Sequence, residues 1–152
     1  MTVTFIALEM SVLRVLRTQD HLLWICRAIE ILFSTSIVLN ILVSISDPGY
    51  LKRDEKMDFL TLLETMSPYS LCPECQLIRA PRSRHCFHSQ RCVDNYDHYC
   101  PWVNNCIGKG NYAQFYLFLV SQLTYLSLFG VSAILMLRLN YSEILVVESY
   151  SF

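Results

Sequence analysis

Two long apolar runs separated by a polar, cysteine-rich middle organise this chain. From Tyr112 to Leu137 no charged residue occurs for 26 positions. As a helix that run rises roughly 39 Å at 1.5 Å per residue, more than the ~30 Å hydrocarbon core of a bilayer requires. It predicts a transmembrane helix over 112–137, with Arg138 at its exit. Ser121, Thr124, Ser127 and Gly130 recur at steps of three and predict a small-residue flank that another helix could approach closely. An earlier run predicts a second span over 24–46. Its uncharged core, Ile31 to Ser46, has 16 residues, slightly short of the usual ~20, so a buried soluble helix is the alternative. Arg27 and Glu30 lie about one turn apart and are expected to pair or reach toward headgroups. Asp47-Pro48-Gly49 ends this helix, since proline and glycine together punctuate it. Residues 1–23 read as an amphipathic or partial first helix, 47–111 as a cysteine-rich domain and 138–152 as a short tail.

Composition narrows the class. The chain has 152 residues, is 53% hydrophobic and carries a net charge of −1. No basic stripe interleaved with aromatics appears, which argues against nucleic-acid binding. Six of the seven cysteines fall between Cys72 and Cys106, and Cys26 lies outside, in the first span, as a packing residue. Such density in a short secreted protein would suggest disulfides. Here no signal peptide with a cleavage site is evident, because Glu9, Arg14 and Arg17 interrupt the opening apolar stretch, and histidines stand among the cysteines at ligand spacing. Metal-held thiolates in a reducing compartment are therefore expected, which places 47–111 in the cytosol. Charge barely discriminates topology: Lys52, Arg53, Lys56 and Lys109 stand against Arg14, Arg17, Arg27 and Arg138.

The middle carries two chemical patterns. In the first, Cys72-x2-Cys75 is followed by His85-Cys86 and then Cys92. A Cys-x-x-Cys knuckle offers two sulfurs from one tight turn, and a distant histidine and cysteine close a tetrahedral shell. A segment this short and polar has little core, so zinc would supply its folding energy; free or core cysteines are the bland alternative. In the second, Asp97-His98-Tyr99-Cys100 places a thiol two residues after an imidazole and three after a carboxylate. Cys100 is the candidate nucleophile, His98 the base that accepts its proton and Asp97 the group that orients the imidazole. The alternative for His98 is a further metal ligand. A thiol beside a membrane tends toward a raised pKa by desolvation and needs such a base.

These residues resemble the DHHC-type protein S-acyltransferase family. The match covers Ser46 to Phe115: Asp47-Pro48-Gly49, Cys72-x2-Cys75, Pro81-Arg82-Ser83-Arg84-His85-Cys86, Arg91-Cys92-Val93, Asp97-His98-Tyr99-Cys100-Pro101-Trp102, Asn105-Cys106-Ile107-Gly108 and Asn111-x3-Phe115. The resemblance implies two interleaved structural zinc sites on a cytosolic domain between the second and third of four membrane helices. The first would be Cys72, Cys75, His85 and Cys92, and it is complete. The second would use Cys86, the residue at Ser89, the residue at Tyr99, and Cys106. It is degenerate, because Ser89 replaces a cysteine and Tyr99 a histidine. His88 could swing in as a substitute, or it is an exposed loop residue with Cys86 and Cys106 simply packed.

By the same resemblance, Cys100 attacks the carbonyl of a long-chain acyl-CoA, most often palmitoyl-CoA, and passes the acyl group to a substrate cysteine. The Asp-His-Tyr-Cys tetrad resembles that of the ankyrin-repeat branch, with no ankyrin repeat here. Trp102, Tyr112, Phe115, Tyr116 and Phe118 are expected at the membrane interface, some of them lining an acyl tunnel. Lys52, Arg53 and the basic residues of 82–91 would meet CoA phosphates, or are ordinary solvated charges. The family's fourth helix and C-terminal motifs are not found, so the chain reads as a fragment or truncated form, weak or inactive unless it dimerises. The reading is an α-helical integral membrane protein with a small zinc-bound, β-hairpin-rich cytosolic domain between two transmembrane helices. Its expected work is palmitoyl transfer from acyl-CoA to membrane-proximal protein cysteines, at an endomembrane (Golgi or endoplasmic reticulum) or the plasma membrane. The competing class is a non-catalytic membrane zinc module acting in protein interaction.

Overall fold

The computed structural model of the chain describes residues 10, 13, 14, 17 and 22–149. Helix α1 spans Leu23–Ile45, a short helix α2 spans Phe59–Thr65, and a 3₁₀ turn covers Pro68–Ser70. Three two-stranded antiparallel hairpins follow: β1 (Leu71–Cys72) with β2 (Leu77–Ile78), β3 (Arg84–Cys86) with β4 (Arg91–Val93), and β5 (His98–Cys100) with β6 (Asn105–Ile107). Helix α3 runs from Tyr112 to Ser149. The expected helical opening, 1–23, lies mostly outside the described residues. The expected tail, 138–152, continues α3 as far as Ser149.

Among the described residues two helices are long and apolar enough to cross a membrane, Leu23–Ile45 with mean hydropathy 2.0 and Tyr112–Arg138 with mean hydropathy 1.7. Four of their hydroxyls are satisfied within the helix. Ser34 and Ser44 on α1, and Thr124 and Ser132 on α3, each donate to the carbonyl four residues back, so none is an unpaired polar group among apolar neighbours. Helix α1 stops where the sequence predicts. A residue before proline avoids helical geometry, and Gly49 takes a left-handed φ of 97°. The Asp47 carboxylate accepts from the Gly49 and Tyr50 amides at 2.8 and 2.9 Å, and those two bonds hold its pKa below the ordinary carboxylate value.

The chain forms two compact units, 1–37 with 119–152, and 38–118. In the first, Leu13, Cys26, Ile29, Tyr125 and Phe129 make a buried apolar cluster, and Ser36 donates a hydrogen bond to Gln122. Glu30 pairs with Arg27 at 3.2 Å, as its spacing predicts, and also with Arg17. The packed face of α3 in this unit is aromatic, not the small-residue flank. Thr124 and Ser127 are exposed, and no atom comes within 4 Å of a methyl placed on Gly130. Large rings remove more apolar surface from contact with the surroundings than a serine edge can.

In the second unit the segment after α1 runs antiparallel beside β4. Tyr50 bridges to Val93, the Leu51 amide donates to the Cys92 carbonyl at 2.8 Å, and the Asp94 amide donates to Gly49 at 2.8 Å. Gly108 and Gly110 close against this turn. The Gly110 amide donates to the Pro48 carbonyl at 3.1 Å, and a methyl on Gly108 would stand 2.5 Å from Val93 Cγ1 and 2.6 Å from the Pro48 oxygen. Asn105 ties β6 to the end of α1, its amide donating to the Val43 and Ser46 carbonyls at 2.9 and 2.8 Å. Those are carbonyls a helix C-terminus leaves without partners.

Candidate metal and thiol site

The three hairpins repeat with a period of 14 residues. Cys72, Cys86 and Cys100 hold equivalent positions, as do Cys75, Ser89 and Val103. Gln76, Gln90 and Asn104, again 14 apart, all adopt left-handed φ, at 50°, 54° and 49°, so one turn geometry serves all three. Register follows the same rule: His85 pairs with Cys92 across hairpin two, and Tyr99 with Cys106 across hairpin three. Self-comparison at this offset would expose the repeat from the sequence alone.

The first knuckle can share an ion with the hairpin that follows it. Cys72 and Cys75, from the first turn, meet His85 and Cys92, which face each other across the second hairpin. Their ligand atoms all lie within 4.8 Å of one another, so this cluster could hold a metal ion. The His85 Nδ1 is 3.2, 3.6 and 4.0 Å from the sulfurs of Cys75, Cys72 and Cys92. Tetrahedral zinc with ordinary Zn–S and Zn–N bonds sets that separation at about 3.6 Å; the donor set fits. Burial, reinforced by the neighbouring thiols, pushes the Cys92 thiol far up, and burial also raises Cys75. Crowded sulfurs that resist ionising together are what a divalent cation relieves.

The next set, one period on, is altered. Cys86 and Cys106 are fully buried in one cluster with Val93. Cys106 also donates to Ser89 Oγ at 3.5 Å. Tyr99 turns its hydroxyl to Asn104 Oδ1 at 2.6 Å, and its ring stacks on His88 with centroids 4.0 Å apart. His88 is thus engaged with Tyr99, and among the described residues no metal-ligating group of three or more forms here. Burial pushes the Cys106 thiol up to about 11. Burial also pushes Cys86 up, but the hydrogen bonds from Cys106 and Ser89 outweigh it and leave that thiol lowered.

The third knuckle, Cys100 with Val103, has no fourth hairpin to complete it. One period beyond His85 and Tyr99 stands Ala113, and one beyond Cys92 and Cys106 stands Val120. Helix α3 begins there instead. Cys100 therefore joins Val43, Val103 and Ile107 in an apolar cluster backed by Phe115 and Phe118. Alternation along β5 puts His98 and Cys100 on one face and Tyr99 on the other. His98 Nδ1 lies 3.4 Å from Asp97 Oδ2, and its ring meets Phe115 edge-on at 5.3 Å. Phe115, expected at a membrane interface, packs on the candidate base. That contact and the Asn105 bridge are the site features the sequence did not signal. An open cavity of about 440 Å³ beside Asp97 is lined by Arg82, Tyr96, Lys109 and Tyr112, among others.

A sequential run of knuckles with a free cysteine at its end points to one family. Residues 65–148 match the family model described as DHHC palmitoyltransferase, and this chain belongs to that family. Among its relatives, palmitoyltransferase ZDHHC14 of Danio rerio is 42% identical over 84 residues, which is 55% of this chain and 16% of the relative. Palmitoyltransferase SWF1 of Saccharomyces cerevisiae is 54% identical over 56 residues, 37% of this chain and 17% of the relative. Palmitoyltransferase ZDHHC8 of Mus musculus is 48% identical over 73 residues, 47% of this chain and 9% of the relative. The chain spans less than a fifth of each of these proteins.

Proposed function

We propose that this chain carries the transfer centre of a membrane protein S-acyltransferase, moving a long-chain acyl group, palmitoyl above all, from acyl-CoA to a protein cysteine. The observation that carries the reading is the shared face of β5. There His98 and Cys100 stand together against Phe115, and the carboxylate of Asp97 faces His98 Nδ1 at 3.4 Å. That leaves His98 Nε2 to take the thiol proton. The Cys100 sulfur attacks the acyl-CoA carbonyl, the C–S bond to CoA breaks, and the protonated His98 returns a proton to the departing CoA thiolate. A substrate cysteine then gives its proton to His98 and attacks the Cys100 thioester, which restores the Cys100 thiol by the same proton path. Asp97 orients the imidazole and stabilises its cationic form.

Cys72, Cys75, His85 and Cys92 are the proposed ligands of a structural zinc, which would fix the first two hairpins and, through the Leu51–Cys92 bond, the turn after α1. The helices at 23–45 and 112–138 are proposed to cross the membrane. Ile31, Ile41, Ile45, Leu123 and Val131 on them are exposed, and that much apolar surface calls for hydrocarbon. The hairpins would face the cytosol of an endomembrane or the plasma membrane, where thiols stay reduced. Substrates would be proteins with cysteines close to the bilayer.

Purified chain incubated with labelled palmitoyl-CoA should acquire a hydroxylamine-sensitive label, and Cys100→Ser should abolish it. Label that survives the substitution sinks the assignment. No thioester label at all favours a second reading, a membrane-held zinc module acting in protein interaction, to which the altered set at Ser89 and Tyr99 lends support.

A further inference from the structure

The transfer centre has no use for Cys86 and Cys106, and they lack the partners that would occupy them with metal. By the 14-residue period they correspond to Cys72 and Cys92, two ligands whose sulfurs lie within 4.8 Å. Both are fully buried in one apolar cluster with Val93. At the positions where the first site has Cys75 and His85, this one has Ser89 and Tyr99. The Tyr99 hydroxyl is spent on Asn104, and the His88 ring on Tyr99. What remains is two buried thiols in one packed cluster, with Ser89 beside Cys106. A structural zinc site needs four protein ligands, whereas a disulfide needs only two sulfurs brought within bonding reach.

We propose that Cys86 and Cys106 are a redox modification site, a thiol pair that closes to a disulfide under peroxide and reopens under thiol reductants, linking hairpins two and three where no metal does so. The stoichiometry is closed. One sulfur attacks a peroxide oxygen, the O–O bond breaks, and a sulfenic acid and one water result. The second sulfur then displaces the sulfenic oxygen, which leaves as a second water carrying the remaining thiol proton. Two thiols are oxidised and one hydrogen peroxide is reduced. The oxidant is the size of a solvent molecule, and the pair lies close to solvent, since Ser89 is half-buried and Phe87 and His88 on its turn are exposed. The inference does not depend on acyl transfer, because Cys100 takes no part in it.

The test is thiol mapping on the full zinc-loaded chain in detergent micelles. The protein is treated with hydrogen peroxide, quenched with catalase, denatured with N-ethylmaleimide and mapped by peptide mass. The expected result is loss of alkylation at Cys86 and Cys106, with their peptides joined, two hydrogens lighter than their sum and separated by dithiothreitol, while the first site keeps its zinc. Cys106→Ser should lose the link and leave Cys86 as a sulfenic acid that dimedone traps. If that variant fails to fold, the map of the unaltered chain decides alone. The proposal is overturned if both cysteines remain alkylated after Cys100 has been oxidised, if either is joined to Cys100 instead, or if the fresh protein holds a second zinc that oxidation expels.

Discussion

At Gly108 a single methyl group has nowhere to go. Val93 and the Pro48 carbonyl crowd the position, and both are held by the strand pairing around β4. Gly108→Ala should cost on the order of 1–3 kcal/mol, as overpacking does, seen as an earlier denaturant midpoint of the zinc-loaded chain. The thiols of the first site predict a pH dependence with two signs. Without metal, desolvation keeps Cys75 and Cys92 protonated above the ordinary thiol value of 9.0, so zinc must displace both protons. Zinc affinity should then rise by at least about a hundredfold per pH unit on approach to that range, measured by competition with a chromophoric chelator. The metal-free fold behaves oppositely: the stability its neutral Cys92 contributes is present below 9.0 and is lost as pH climbs above it. The identities of Asp97, His98 and Cys100 were legible as a motif. The ring of Phe115 against His98 was not, because 17 residues separate them and only the start of α3 brings them together.

Among the elements, the hairpins are too short to stand alone. Strands of two or three residues are marginal in water even when paired, so their order would depend on an ion held by the proposed ligands and on hairpin three being tied to α1 by Asn105. Chelating zinc, or changing Cys75→Ser, should release hairpins one and two, read as faster amide hydrogen exchange at residues 71–93 than at 98–107. The period offers a constructive counterpart. Ser89→Cys combined with Tyr99→His rebuilds, one repeat on, the set found at Cys75 and His85. Bound zinc should rise from one to two per chain by metal analysis, and a count that stays at one would mean that hairpin three does not bring Cys106 to the ligand position. The Cys-x-x-Cys spacing announced a knuckle in the sequence, and hairpin-rich architecture followed from it. The left-handed residues at Gln76, Gln90 and Asn104 were not foreseen, since neither glutamine favours that conformation locally and the turn imposes it.

For the molecule as a whole, the two apolar helices predict that the chain stays with membranes through alkaline carbonate extraction; release into the supernatant would contradict the spanning reading. Hydrophobic runs and ligand spacing are local properties, and so the sequence by itself determined the two long helices, the break at Asp47-Pro48-Gly49, the grouping of Cys72, Cys75, His85 and Cys92 that could hold a metal ion, and the presence of Ser89 and Tyr99 at the corresponding positions one period on. Tertiary structure alone decided which face of α3 packs, where the His88 ring goes, and why the third knuckle cysteine lies in an apolar cluster. The physical reason is that a side chain's partner depends on which surfaces the fold brings within a few ångströms. At Cys100 those surfaces are the apolar ends of two helices and not another hairpin, and among the described residues no second thiol belongs to that cluster.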